Sequence, residues 1–180
     1  MDKKKTLAIF CGSSSPRNIK YIEKAKDLGH KLVKEKNWNL VYGGASVGLM
    51  GAVSDAVLRA GGRVYGIIPK FLVSRGVQHH DLYSIEIVDS MHERKALIYD
   101  RADAFLALPG GFGTLDEIIE VTTWHQLRLH NKPCFILNLD GFYDGLLKLL
   151  NNFSKEGFIK TTDLNILQEV KTVDDFLAKL

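Results

Sequence analysis

Three short segments of the chain carry residue types suited to holding a phosphate. They are Cys11-Gly12-Ser13-Ser14-Ser15, Tyr42-Gly43-Gly44-Ala45-Ser46 and Leu108-Pro109-Gly110-Gly111-Phe112-Gly113-Thr114. Each closes an apolar run and precedes a polar or helical pattern. Glycine lets a backbone come close to a ligand, and the helix that follows offers unpaired N–H groups and the positive end of its dipole. Tight strand-to-helix turns need glycine anyway, so one such turn says little. Three on one sheet edge favour ligand binding, with Gly12, Ser13 and Gly44 among the candidate contacts.

The most informative segment is Pro109–Glu117, PGGFGTLDE. Gly111, Gly113 and Thr114 can form a cradle at a helix start, with Glu117 one turn in. The same spacing, Thr114-x-x-Glu117, also predicts a capping box, in which the two side chains serve the helix's own amides. A second segment, Ser90–Lys95 (SMHERK), opens a helix with adjacent cations, Arg94 and Lys95. Arginine suits bidentate contacts to phosphate or ribose hydroxyls, although an Arg-Lys pair alone reads as a solvated helix face.

Two familiar phosphate motifs are absent. No Gly-Lys-Ser/Thr follows a glycine loop, which excludes a P-loop. The dinucleotide pattern GxGxxG fails because Asp116 stands where the third glycine belongs. Asp140 lies beyond the usual spacing of about 20 residues for a ribose-binding acid. A mononucleotide or sugar phosphate therefore fits better than a dinucleotide. His79-His80 and the pair His125 and His130 lack metal-ligand spacing, so no metal is expected. Cys11 reads as a buried thiol, and Leu49 and Met50 read as core.

Alternating elements must position these turns. Strands are predicted at Thr6–Cys11, Trp38–Tyr42, Arg63–Ile68, Ser84–Val88, Ala104–Leu108, Pro133–Leu139 and near Ile166–Val170. Helices are predicted at 18–36, 46–60, 90–101 and 114–129, with further helices after 139. The stretch 70–83 reads as irregular. Strands apolar on both sides, alternating with helices, indicate an α/β fold: a doubly wound, mostly parallel, Rossmann-like sheet in three layers. With 180 residues the chain suits a single domain over 1–180.

Bulk properties narrow the function. The hydrophobic fraction of 46% supports a sizeable core, and a net charge of +3 is too mild to argue for nucleic acid or membrane as a partner. The basic start, MDKKK, precedes an apolar run too short for a signal peptide, and no stretch reaches the ~20 apolar residues of a membrane span. Two cysteines imply no disulfide framework. The cytoplasm is the expected location.

Taken together, PGGxGTxxE at 109–117, SMHERK at 90–95, CGSS at 11–14 and YGGxxxGLMG at 42–51 resemble the LONELY GUY family across nearly the whole chain. The resemblance implies a phosphoribohydrolase that releases the base from a cytokinin riboside 5′-monophosphate or AMP, without a cofactor. It implies Arg94 and Glu117 as catalytic residues and Gly110, Gly111, Gly113 and Thr114 as the phosphate loop. It also implies Gly12, Ser13, Met91 and Lys95 as lining the nucleotide site, and a homodimer with Trp124 near the interface. Ala45 departs from the three glycines common in the second turn. Two alternatives remain: a non-catalytic nucleotide-binding protein and a pyridoxal-phosphate lysine decarboxylase, for which Lys95 is the only lysine inside a motif.

Overall fold

The computed structural model of the chain describes residues 4–180, so residues 1–3, the start of the basic cluster, lie outside the described residues. Seven strands form one parallel sheet: β1 (Thr6–Phe10), β2 (Asn39–Tyr42), β3 (Val64–Pro69), β4 (Ser84–Val88), β5 (Ala104–Ala107), β6 (Cys134–Leu137) and β7 (Leu167–Val170). Their spatial order is β4-β3-β2-β1-β5-β6-β7. The expected doubly wound α/β architecture is borne out.

Side chains alternate across the sheet, and both faces are buried. Leu7 and Ile9 of β1, Leu40 and Tyr42 of β2, and Leu106 of β5 point into one cluster. Ala8, Phe10, Val41, Phe105 and Ala107 point into the other. This period of two explains why the strands read as unbroken apolar runs. The first face is covered by α1 (Lys20–Lys34), α2 (Gly48–Arg59) and α7 (Val173–Ala178). The second is covered by α4 (Met91–Arg101), α5 (Phe112–Gln126) and α6 (Asp144–Lys155).

The irregular stretch expected at 70–83 contains a short helix, α3 (Lys70–Val73). The helix expected at 114–129 is shifted: α5 begins at Phe112 and stops at Gln126, where Arg128 takes a positive φ of 61°. Glycines and a chain reversal decide those ends, and neither has a hydrophobic period to announce it.

The chain builds outward from β1 to β4, then crosses back to start β5 on the other side of β1. Neighbouring strand ends diverge at that reversal, which leaves a crevice at their carboxyl edge. Gly12, just past β1, is hydrogen-bonded to the third turn and to the first turn of α2, which follows the second turn. Its N–H donates to Pro109 O at 3.1 Å, and its carbonyl accepts from Leu49 N at 3.0 Å. The three glycine turns are thus one connected rim.

Helices α1 and α2 pack closely through Gly29, where a Cβ would lie 2.7 Å from Val53 O and 2.8 Å from Ala56 Cβ. Alanine for glycine inside a helix ordinarily gains about 1 kcal/mol, while overpacking a core costs about 1–3 kcal/mol. The atoms in the way are backbone and a short side chain, so overpacking should win. Gly29→Ala is expected to lower the unfolding free energy by about 1–2 kcal/mol in urea titration. A rise in stability would show that the two helices separate freely.

Candidate active site

The crevice between β1 and β5 opens into a cavity of about 680 Å³. Gly12 and Ser13 from the first turn, Met91 and Arg94 from α4, and Gly110, Gly111, Gly113, Thr114 and Glu117 from the third turn and α5 all line it. Two of the residues singled out from sequence do not. Lys95 is absent from the lining and bonds Asp116, which lines the cavity, and Glu120 at 3.0 and 3.2 Å. Gly44 is absent from the lining and serves the fold instead: its φ is 76°, and a Cβ would press on Ile68 Cβ at 3.2 Å.

Arg94 reaches Glu117 on the cavity wall. Nη2 donates to Glu117 Oε1 at 2.9 Å, with the residues only 6% and 4% exposed. Arg94 Nη1 lies 3.6 Å from Met91 Sδ, and Nε is buried without a partner among the described residues. The solvated face that the Arg-Lys spacing suggests is therefore not formed. Burial pushes the Glu117 carboxyl above its ordinary value of 4.5, and the Arg94 charge offsets that only in part. Burial likewise raises the Cys11 thiol, which leaves it unreactive.

The capping box expected at Thr114 and Glu117 does not form either. Helix α5 starts two residues before Thr114, with Gly111 at its N-cap and no capping side chain, so Glu117 is free to meet Arg94. The Ser-x-x-Glu spacing that does cap lies in SMHERK. Ser90 Oγ accepts from Glu93 N at 3.1 Å, and Glu93 Oε2 accepts from Asp89 N at 3.0 Å. This fixes the first turn of α4 and so the direction in which Arg94 leaves it.

Glycines shape the site in two ways. A Cβ on Gly43 would fall 2.2 Å from Arg94 Nη2, and one on Gly110 would fall 2.0 Å from Thr114 Oγ1. Those glycines make room for neighbouring side chains. A Cβ on Gly111 or Gly113 would meet nothing within 4 Å, so they leave open space at the start of α5. The first amides of a helix lack intrahelical partners, so this space is where an anion would find donors.

Several residues escaped the sequence reading. Gly43 is glycine because of a side chain 51 positions away (94 − 43), and no local pattern reports such a contact. Tyr143 donates to Leu108 O at 2.6 Å and anchors the strand end before the third turn. Leu49 and Met50 are buried as expected but also face the cavity, beside Arg17, Tyr21 and Phe142. Trp124 lies outside the lining, with its ring 4.9 Å from Tyr99. Among the described residues no acidic, histidine or cysteine cluster could hold a metal ion, and no helix is long and apolar enough to cross a membrane.

Comparison with known proteins gives one family match, two relatives and one likeness in fold. The profile described as "Possible lysine decarboxylase" matches residues 50–180. Cytokinin riboside 5′-monophosphate phosphoribohydrolase LOG3 of Arabidopsis thaliana is 45% identical over 178 residues, 99% of this chain and 82% of LOG3. Its counterpart LOG of Oryza sativa subsp. japonica is 45% identical over 174 residues, 97% of this chain and 72% of that protein. The molybdenum cofactor binding protein of Rippkaea orientalis superposes with a TM-score of 0.73, covering 98% of this chain and 95% of that one. At 20% identity it speaks to the fold alone.

The Gly43 seat is testable by stability. Gly43→Ala should push the guanidinium aside and strand a buried charge, lowering the unfolding free energy by about 1–3 kcal/mol. Gly113→Ala, facing open space inside the first turn of α5, should be neutral or stabilising by up to about 1 kcal/mol. Equal urea midpoints for the two variants would show that Arg94 does not need the space at Gly43.

Proposed function

Because the chain belongs to the LONELY GUY family of cytokinin riboside 5′-monophosphate phosphoribohydrolases, we propose that it hydrolyses the N-glycosidic bond of nucleoside 5′-monophosphates. The substrates are cytokinin riboside 5′-monophosphates and AMP, and the products are the free base and ribose 5-phosphate. The observation that carries the reading is the buried 2.9 Å pair of Arg94 and Glu117 on the wall of a cavity that also receives the first turn of α5.

The chemistry follows from charge. As the bond from C1′ to the base nitrogen breaks, the electron pair leaves with the base and the ribose becomes oxocarbenium-like. Glu117, ionised and shielded from bulk water, is the carboxylate that stabilises this cation and orients the water that adds to C1′. Arg94 holds Glu117 and steadies the ribose hydroxyls or the departing base. The phosphate rests on the amides of Gly111–Thr114, with Gly110 beneath it, and anchors the substrate so that binding energy is realised at the reacting carbon. Gly12, Ser13 and Met91 enclose the nucleotide, and Lys95 acts from behind the cavity by neutralising Asp116.

The decarboxylase description fits these residues poorly. A pyridoxal-phosphate enzyme of that kind uses a lysine amine that forms a Schiff base. No lysine is among the residues lining the cavity. Burial of Lys95 favours its neutral form, but its bonds to Asp116 and Glu120 outweigh that and raise its pKa. The ammonium form is the one held.

The chain works in this reading as one nucleotide-binding domain, in the cytoplasm and as a homodimer. Supporting the first two are the single sheet and the two free, buried thiols Cys11 and Cys134. For the dimer, Leu127 and Leu129 at the end of α5 are 63% and 65% exposed. Light scattering at micromolar concentration should return twice the 20.2 kDa chain mass; a monomer rejects the dimer.

The hydrolase is tested by product assay across AMP, N6-isopentenyl-AMP and other monophosphates. Glu117→Gln should lower turnover about 100- to 10,000-fold while the fold is retained. Since Glu117 must be ionised and its pKa is raised, activity should fall as pH drops through a value above 4.5. An acid limb at or below 4.5 would show that the carboxyl is not raised, and full activity in the variant removes Glu117 from the mechanism.

A further inference from the structure

Four charged side chains line the cavity: Arg17, Arg94, Asp116 and Glu117. Three of them are already matched. Arg94 bonds Glu117 at 2.9 Å, and Asp116 is paired with Lys95 at 3.0 Å. Arg17 has no ion pair and no side-chain hydrogen bond among the described residues, and it is solvent-exposed in the loop between β1 and α1. The cavity therefore presents one uncompensated charge, and it is positive.

That loop is not remote from the start of α5. Gly12, at its beginning, donates to Pro109 O of the third turn at 3.1 Å. Ser13, Ser14, Ser15, Pro16, Arg17 and Asn18 then run along the same cavity that Gly111–Thr114 close. A 5′-phosphate carries about −1.5 to −2 charges at neutral pH. The helix terminus offers about half a positive charge, and Asp116 on the same helix opposes the anion unless Lys95 stays paired to it. Amides alone leave most of the phosphate charge unmet.

We propose that Arg17 supplies this missing charge: it is a specificity-determining residue that closes over the 5′-phosphate and separates nucleoside monophosphates from nucleosides. The inference rests on the hydrolase reading for its consequence in turnover, and on the cavity's charge pattern for the binding itself. Arginine fits the role because its planar fork can donate two hydrogen bonds to one phosphate. A guanidinium is more weakly hydrated than an ammonium, and because Arg17 is exposed its contribution is sensitive to salt.

The test uses Arg17→Ala and Arg17→Lys in the full chain. In Arg17→Ala the preference for AMP over adenosine, as a ratio of kcat/KM, should fall about 10- to 100-fold, carried by KM. The loss should shrink as ionic strength rises towards 1 M, where the Debye length is about 3 Å. Arg17→Lys should recover much of it. Calorimetric binding of AMP and adenosine, done in the Glu117→Gln background, reads the same contact without turnover, and only AMP should weaken. Unchanged AMP affinity in Arg17→Ala overturns the assignment. So does an equal loss for AMP and adenosine, which would put Arg17 on the ribose or base. If the parent releases no base from any monophosphate, the hydrolase reading fails, while the calorimetry still decides the role of Arg17.

Discussion

Two opposite charges, Arg94 and Glu117, are taken almost completely out of water on the wall of the cavity and joined at 2.9 Å. Such a pair is a poor source of stability, because desolvating both ions costs about as much as their attraction returns. Burial pushes the Glu117 carboxyl above its ordinary value, and the Arg94 charge beside it offsets that only in part. A fold keeps that arrangement only where the surrounding structure over-determines it, and here each neighbour of the pair has a reason for its residue type. The same imbalance gives the pair its chemical potential. A carboxylate short of solvation gains most from a cation that appears beside it, as a ribose does when its base departs.

The supports come from both ends of the pair. At the arginine end, the Ser90–Glu93 cap starts α4, and the absent side chain at Gly43 leaves the guanidinium its place. The Gly43 turn is in turn strapped down from outside. His79 N donates to Gly44 O at 2.9 Å, Ser46 N to Val77 O at 2.9 Å, and the His79 ring meets Asp55 of α2 at 3.1 Å. At the glutamate end, Tyr143 fixes Leu108, and Gly12 ties the first turn to the third. Most of these bonds join segments far apart in sequence, so the site forms only when the sheet is complete.

This is why the architecture was legible from the chain and the site only in part. Apolar runs with helical patterns between them define strands and helices locally, and β4 falls at Ser84–Val88 as expected. The motifs pointed to the family for the same local reason. Spacing alone misled at α5. Ser-x-x-Glu at 90–93 and Thr-x-x-Glu at 114–117 look alike, yet one caps a helix and the other does not. The difference is where the helix begins. Gly111 serves as N-cap for α5, which pushes Thr114 inside and turns Glu117 toward a partner 23 residues back. Gly44 was over-read for the opposite reason, since a positive φ is a sufficient cause for glycine there.

The glycines fall into two kinds according to what surrounds them. At Gly29, Gly43, Gly48 and Gly110 a Cβ would strike a named atom of the fold closer than 3 Å. Their identity is explained by the folded chain itself. At Gly111 and Gly113 a Cβ strikes nothing, neither residue has a positive φ, and glycine weakens a helix start compared with a side-chain cap. Gly111 is an acceptable N-cap, but no neighbouring atom demands glycine at either position, and each costs conformational entropy on folding. Uncovered backbone at the mouth of a helix, beside a matched buried ion pair, leaves the helix amides open to approach. The segment that reads as a phosphate loop in sequence thus has, in three dimensions, open space in front of the first amides of α5.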